Sequence, residues 1–150
     1  MQITQDEMSQ RLVQFREALR RAGLKLTPQR MEVFREVAAT AGHPDAETVY
    51  RGVRRRLPAV SLDTVYRTLW LLLDLGLIAT LGSVHGGMRF DGNASPHHHF
   101  ICTGCGAALD FTERRFDQLP VPEAVRAMGQ VASAHVEFHG LCARCAGPPG

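Results

Sequence analysis

The chain has 150 residues, 45% of them hydrophobic, and a formal net charge of +2, which is room for one moderate domain or two small ones of ordinary globular composition. Its most apolar stretch, residues 69–81, is broken by Asp74 and Gly76, so no membrane span is expected. The polar N-terminus has no apolar run behind it, which argues against a secretory signal and for a soluble cytoplasmic protein whose thiols stay reduced.

Charge divides the chain. Residues 1–90 carry 13 Lys and Arg against 9 Asp and Glu, whereas residues 91–150 carry 4 against 6 and hold all four cysteines and five of the seven histidines. This suggests a basic N-terminal module that meets something anionic, followed by a module that binds metal.

Four helices are predicted before any strand. Met8, Leu12, Phe15 and Leu19 recur at helical spacing in the first, which ends near Gly23. Thr27 and Pro28 open the second as N-cap and first helical residue, and Met31, Phe34 and Val37 form its buried stripe. Asp45 caps the third, with Val49, Tyr50, Val53 and Leu57 inward and Pro58 preventing continuation. Arg54, Arg55 and Arg56 near its end either satisfy the helix C-terminus or contact phosphate.

Ser61 caps the fourth helix and Gly76 stops it; Leu62, Val65, Leu69, Leu72 and Leu73 give the apolar face, and Asp63, Tyr66, Arg67 and Trp70 the other. A short turn between the third and fourth helices, with an aromatic and an Arg near the start of the latter, fits a helix-turn-helix. The first turns of such a helix enter the major groove, where Arg bonds guanine edges or phosphate and Tyr packs on thymine methyls. Segments 77–81 and 88–90 flank a Gly-rich turn, Val84-His85-Gly86-Gly87, as the strands of a wing would. A helical domain that binds another protein is the alternative from these features alone.

In the second half, Cys102/Cys105 and Cys142/Cys145 form two Cys-x-x-Cys pairs. The spacing lets each pair aim two sulfurs at one tetrahedral zinc ion, which with four thiolates has no open position and does no chemistry. Two disulfides, or four unrelated thiols, are the alternatives. The run His97-His98-His99 leads into the first pair; in a strand His97 and His99 point one way and His98 the other. With Asp91 before the run and Asp110 on a neighbouring predicted strand over 107–111, two imidazoles and two carboxylates make a mixed site suited to Fe(II), Mn(II) or Zn(II). A merely polar turn is the bland reading of the histidine run.

Several segments, in order, resemble the ferric uptake regulator family: Leu24-Lys25-Leu26-Thr27-Pro28-Gln29-Arg30, Ala41-Gly42-His43-Pro44, Ser61-Leu62-Asp63-Thr64-Val65-Tyr66-Arg67-Thr68-Leu69, Arg89-Phe90-Asp91-Gly92, His97-His98-His99-Phe100-Ile101-Cys102 and Glu137-Phe138-His139-Gly140-Leu141-Cys142. The resemblance implies an α+β chain. A winged helix-turn-helix DNA-binding domain, residues 1–90, is followed by an α/β dimerisation domain, residues 91–150, carrying the four-cysteine zinc site. It implies a homodimer that binds a double-stranded operator and represses transcription while a regulatory Fe2+ or Mn2+ is bound. It adds His43 as a ligand, giving a regulatory set of His43, Asp91, His97, His99 and Asp110. It also points to Tyr66 and Arg67 as base-contacting residues and to Lys25 as a minor-groove contact.

Zinc-sensing members of that family usually place a Cys among the regulatory ligands, and iron-sensing members usually show Glu where Asp110 stands. Peroxide-responsive repressors carry Asp there, and the Arg89-Phe90-Asp91-Gly92 hinge is similar to theirs. The resemblance therefore implies hydrogen peroxide as the signal, with oxidation of His43 or His97 as the event. An iron- or zinc-responsive uptake repressor of the same family is the alternative. A metalloenzyme is the more distant one, because no nucleophile or general base beyond the ligands presents itself, and no catalytic residue is expected. Many relatives keep a further histidine near the second cysteine pair; here, in Ala134-His135-Val136-Glu137, it is displaced by one position and on a strand would face the other way. No third metal site of the usual kind is expected, and His98 and His139 read as polar surface or interface residues.

Overall fold

The computed structural model describes residues 3–40, 42–82 and 86–147. The chain divides into two compact units, Met1–Ala94 and Ser95–Gly150, so the division falls four residues beyond the 90/91 boundary read from the sequence. The reason is local: the strand ending the first unit runs through Asp91.

The first unit opens with α1 (Gln5–Arg21), α2 (Pro28–Ala39), α3 (Ala46–Arg54) and α4 (Leu62–Asp74). Each starts where a side chain satisfies an otherwise orphan backbone N–H. Thr4 and Glu7 form a reciprocal capping box on α1, and Thr27, Asp45 and Ser61 accept from Arg30, Thr48 and Thr64 on the other three. α1 ends because Gly23 takes φ +67, which lets the Leu24 N–H reach back to the Leu19 carbonyl.

The inward stripes meet in one apolar core that includes Phe15, Leu19, Phe34, Val49, Leu69 and Leu72. Phe15 and Phe34 stack with ring centroids 4.5 Å apart. The arginines at the end of α3 have structural partners: Arg56 pairs with Glu32 and Glu36 of α2, and Arg54 lies over the Tyr50 ring. Arg56 thus ties α3 to α2, which the sequence reading did not include among its roles.

β1 (Ala79–Leu81) and β2 (Arg89–Asp91) follow as an antiparallel pair; β1 starts two residues later than the segment predicted, and β2 has the predicted length but lies one residue later. Gly86 and Gly87, at φ +85 and +86, take conformations that L side chains rarely adopt; Val84 and His85 of that turn lie outside the described residues.

The second unit is built on β3 (His98–Cys102), flanked by β4 (Ala108–Phe111) on one side and β5 (Glu137–Gly140) on the other. β3 runs antiparallel to β4 and parallel to β5. The crossover that a parallel pair requires holds two short helices, α5 (Arg114–Asp117) and α6 (Glu123–Met128), and α7 (Ala143–Ala146) follows β5. Neither α5 nor α6 was predicted, and neither buries a residue. His135, expected on a strand, lies in the coil before β5. Among the described residues no helix is long and apolar enough to cross a membrane.

Candidate functional site

The four cysteines converge. Their sulfurs lie within 4.8 Å of one another, with Cys105 and Cys142 Sγ 3.8 Å apart. β3 delivers Cys102 and then turns. The Gly106 N–H bonds the Cys102 carbonyl at 2.9 Å, and the Thr103 N–H bonds the Gly140 carbonyl at 2.7 Å, which brings the second pair alongside. Gly104 permits the approach, since a Cβ there would sit 3.2 Å from Cys145 Sγ.

Backbone N–H groups of Cys105 and Cys142 point at Cys102 Sγ, at 3.5 and 3.2 Å. Their donation, that of Cys105 first, holds the Cys102 thiol down at about 6. The Cys145 N–H lowers Cys142 in the same way. Cys145 is pushed up to about 12, chiefly by its hydrogen bond to Cys142 and then by Cys102 and Cys105. Such a cluster gives up its first proton readily and its last with difficulty, because negative charge accumulates; a dication removes that penalty. Four converging sulfurs with this chemistry fit tetrahedral zinc with no open position, which is a structural role.

A nitrogen and oxygen donor set forms near the start of β3, from His97 just before the strand, His99 on it and Asp110 on β4. The His97 Nδ1 lies 2.7 Å from the Ser95 carbonyl, which fixes its proton there and puts the lone pair on Nε2. His97 Nε2 is 3.1 Å from His99 Nε2, and His99 Nε2 is 3.4 Å from Asp110 Oδ1. Alternation along the chain puts both imidazoles on one side, and the β3–β4 register sets Asp110 opposite His99. Two imidazole nitrogens and a carboxylate oxygen aimed together suit a divalent cation of intermediate hardness.

The first unit holds another pair of such donors. His43 Nε2 is 3.9 Å from Asp91 Oδ2. The loop carrying His43 is stitched to β2 by the Phe90 N–H donating to the Pro44 carbonyl at 2.9 Å and by an Asp45–Arg89 bridge. Asp91 is aimed by its own turn: the Asn93 N–H donates to Oδ1 at 2.8 Å, which leaves Oδ2 toward His43. His43 itself takes φ +49, alone in that region among the described non-glycine residues, a strained conformation of the kind found where function requires it. Gly92 has no room for a Cβ, which would lie 2.8 Å from Ala38 Cα, so the exit of β2 presses on α2.

His98 departs from the polar surface or interface role read from the sequence: it is 2% exposed, and its ring packs on Phe111 and Phe116 of its own unit. Asp117, 3.0 Å from His98 Nε2, is the partner that sequence reasoning missed. His139 is exposed beside Glu137.

On α4, Tyr66, Arg67 and Trp70 stand on the exposed face, opposite buried Val65, Thr68, Leu69 and Leu72. Arg67 bonds Asp63 one turn earlier at 2.6 Å, with both side chains mostly in solvent; such a pair contributes only about 0.3–0.5 kcal/mol and is readily exchanged for another partner. Lys25 is exposed in the loop before α2, and its carbonyl accepts from Arg30.

A model of the ferric uptake regulator family matches residues 21–145. The peroxide-responsive repressor PerR of Staphylococcus epidermidis is 30% identical over 128 residues, 85% of each chain. Solved structures are similar as well, two of them over nearly the whole chain. The ferric uptake regulator Fur of Helicobacter pylori superposes with a TM-score of 0.72 at 24% identity over 95% of this chain and 96% of that one, a likeness of fold. A zinc uptake regulator complexed with zinc and DNA gives 0.64 at 27% identity over 96% and 97%.

Proposed function

The chain belongs to the ferric uptake regulator family of metal-responsive repressors, and we propose that it is a peroxide-sensing member. In this reading a homodimer holds a double-stranded operator while Fe(II) or Mn(II) is bound, and releases it once hydrogen peroxide has oxidised a ligand histidine. The donor chemistry carries it. His43 with Asp91, and His97 and His99 with Asp110, offer imidazoles and carboxylates only, while all four cysteines gather elsewhere. A set without thiolate suits Fe(II) or Mn(II) as well as Zn(II). Asp110, where iron-sensing members usually carry Glu, and the similarity to the Staphylococcus epidermidis repressor support the peroxide branch.

The five residues are proposed to share one ion. His43 and Asp91 belong to the first unit and the others to the second, so a shared ion would tie the two units and its loss would release them. The recognition helices of a dimer would then lose the spacing that matches two half-sites. Held by these imidazoles and carboxylates, Fe(II) would supply the electron that reduces hydrogen peroxide, whereas Mn(II), harder to oxidise, would not. At the protein the net change is one oxygen inserted at a ring carbon of His43 or His97, with one H2O2 leaving as water. The oxidised ring is a poorer ligand, and the site opens.

Exposed Tyr66 and Arg67 are proposed to read base edges and Lys25 to enter the minor groove; the DNA-bound zinc uptake regulator supports this use of the fold. Leu109, Met128, Phe138 and Leu141 of the second unit are large apolar side chains facing outward, as a surface covered by a second copy would be.

The test is to load the protein with Fe(II) without oxygen, add low H2O2, and examine peptides by mass spectrometry. One added oxygen on His43 or His97, absent from the Mn(II) form, is the expected result. No such product, with operator binding intact, points to a metal-uptake repressor instead.

A further inference from the structure

His98 stands between the two candidate ligands of the histidine run, and its ring turns away from them. Both of its nitrogens are engaged. The Val136 backbone N–H donates to Nδ1 at 3.3 Å, which requires the lone pair there, so the proton resides on Nε2 and is donated to Asp117 Oδ1 at 3.0 Å. The ring also packs against Phe111 at 5.6 Å and edge-on against Phe116 at 5.4 Å between centroids. A histidine in this state has no lone pair left for a cation. It joins β3 to β4 through Phe111, to α5 through Phe116 and Asp117, and to the start of β5 through Val136.

We propose that His98 and Asp117 form a metal-free positioning clamp that fixes the pleat of β3 and thereby the aim of His97 and His99. The proposal rests on the reading of those two as regulatory ligands. Its physical basis is the period of the strand: His97 and His99 are the immediate neighbours of His98, so a rotation of the backbone at His98 displaces both imidazoles together. Deleting the Asp117 acceptor leaves a buried imidazole N–H unsatisfied, and β3 must shift to hydrate it. The carboxylate acts here only as an acceptor, so an amide oxygen at the same place does the same work.

Two measurements on the full-length zinc-loaded protein test this. Nitrogen-15 spectra of the imidazoles, recorded without added Mn2+, should show His98 as the Nε2–H tautomer. Mn2+ titration, followed by the electron paramagnetic resonance signal of the free ion, compares wild type with Asp117→Ala, Asp117→Asn and His97→Ala. Asp117→Ala should weaken Mn2+ binding about tenfold, the scale of losing a supporting hydrogen bond behind a metal site, with zinc content unchanged. Asp117→Asn should return close to wild type. Three results overturn the clamp: wild-type Mn2+ affinity in Asp117→Ala, an Nδ1–H tautomer at His98, or an Asp117→Asn defect as large as that of Asp117→Ala, which would make the carboxylate a ligand. His97→Ala separates the two claims. Wild-type Mn2+ binding in that variant removes the ligand reading, whereas loss there with none in Asp117→Ala removes only the clamp.

Discussion

The two units are stabilised by different means. The first closes around fully buried Phe15, Leu19, Phe34, Leu69 and Leu72, a core large enough to hold four helices without help. The second buries Ile101, Cys102, Cys142 and the polar ring of His98, while Leu109, Met128, Phe138 and Leu141 face outward. A unit this small with so few apolar side chains inside needs staples. The four-thiolate site is one, and the outward apolar surface provides for a second. Metal therefore has two meanings in one chain: at the cysteines it is part of the fold, and at the imidazoles and carboxylates it is proposed to be the message.

The sharpest way to break that contrast is Cys142→Ser. Zinc should be lost and the second unit should unfold, since structural zinc supplies on the order of 10 kcal/mol of apparent binding free energy to small domains. Amide exchange should show the helices of the first unit still protected. Unfolding of both units together would contradict their separate stabilisation. Phe34→Ala is the converse experiment: it should destabilise the first unit by about 3–5 kcal/mol in a denaturant titration and leave zinc content untouched.

Phe138→Arg should weaken self-association by about 2 kcal/mol or more, as loss of an interfacial aromatic anchor does. Sedimentation would show a shift toward monomer, and an unchanged profile would leave the outward surface without its proposed partner. Asp110→Glu should preserve metal-dependent operator binding yet blunt the response to peroxide about tenfold, ~1.4 kcal/mol in the barrier. Full sensitivity in that variant removes the main reason for preferring the peroxide branch.

The same contrast explains what the sequence discloses. In the first unit, Thr27, Asp45 and Ser61 are short-range signals that mark helix starts, and the inward stripes follow the helical period, so α2, α3 and α4 begin where expected. The cysteine spacing and the alternation of His97 with His99 are equally local. What escaped depends on distant backbone or on partners with no pattern of their own. That His43 lies beside Asp91 follows from the Phe90–Pro44 hydrogen bond, and only the family resemblance pointed to it. Three consecutive histidines do not say that both faces of β3 are covered, so the burial of His98 alongside His97 and His99 is not legible in them. The partner of His98, Asp117, sits on a four-residue helix, too short for periodicity to register. Arg56, whose position suggests a helix C-terminal or phosphate contact, instead pairs with Glu32 and Glu36 of α2, partners that carry no local pattern.

The most direct test of the shared ion is Mn2+ binding to His43→Ala and to His97→Ala, measured together with operator affinity. If one ion is gripped by residues of both units, each variant should lose the same bound Mn2+ and the same Mn2+-dependent binding to DNA. Full Mn2+ affinity in His43→Ala, with loss confined to His97→Ala, would show that the loop histidine is not a ligand and that the proposed tie between the units does not exist.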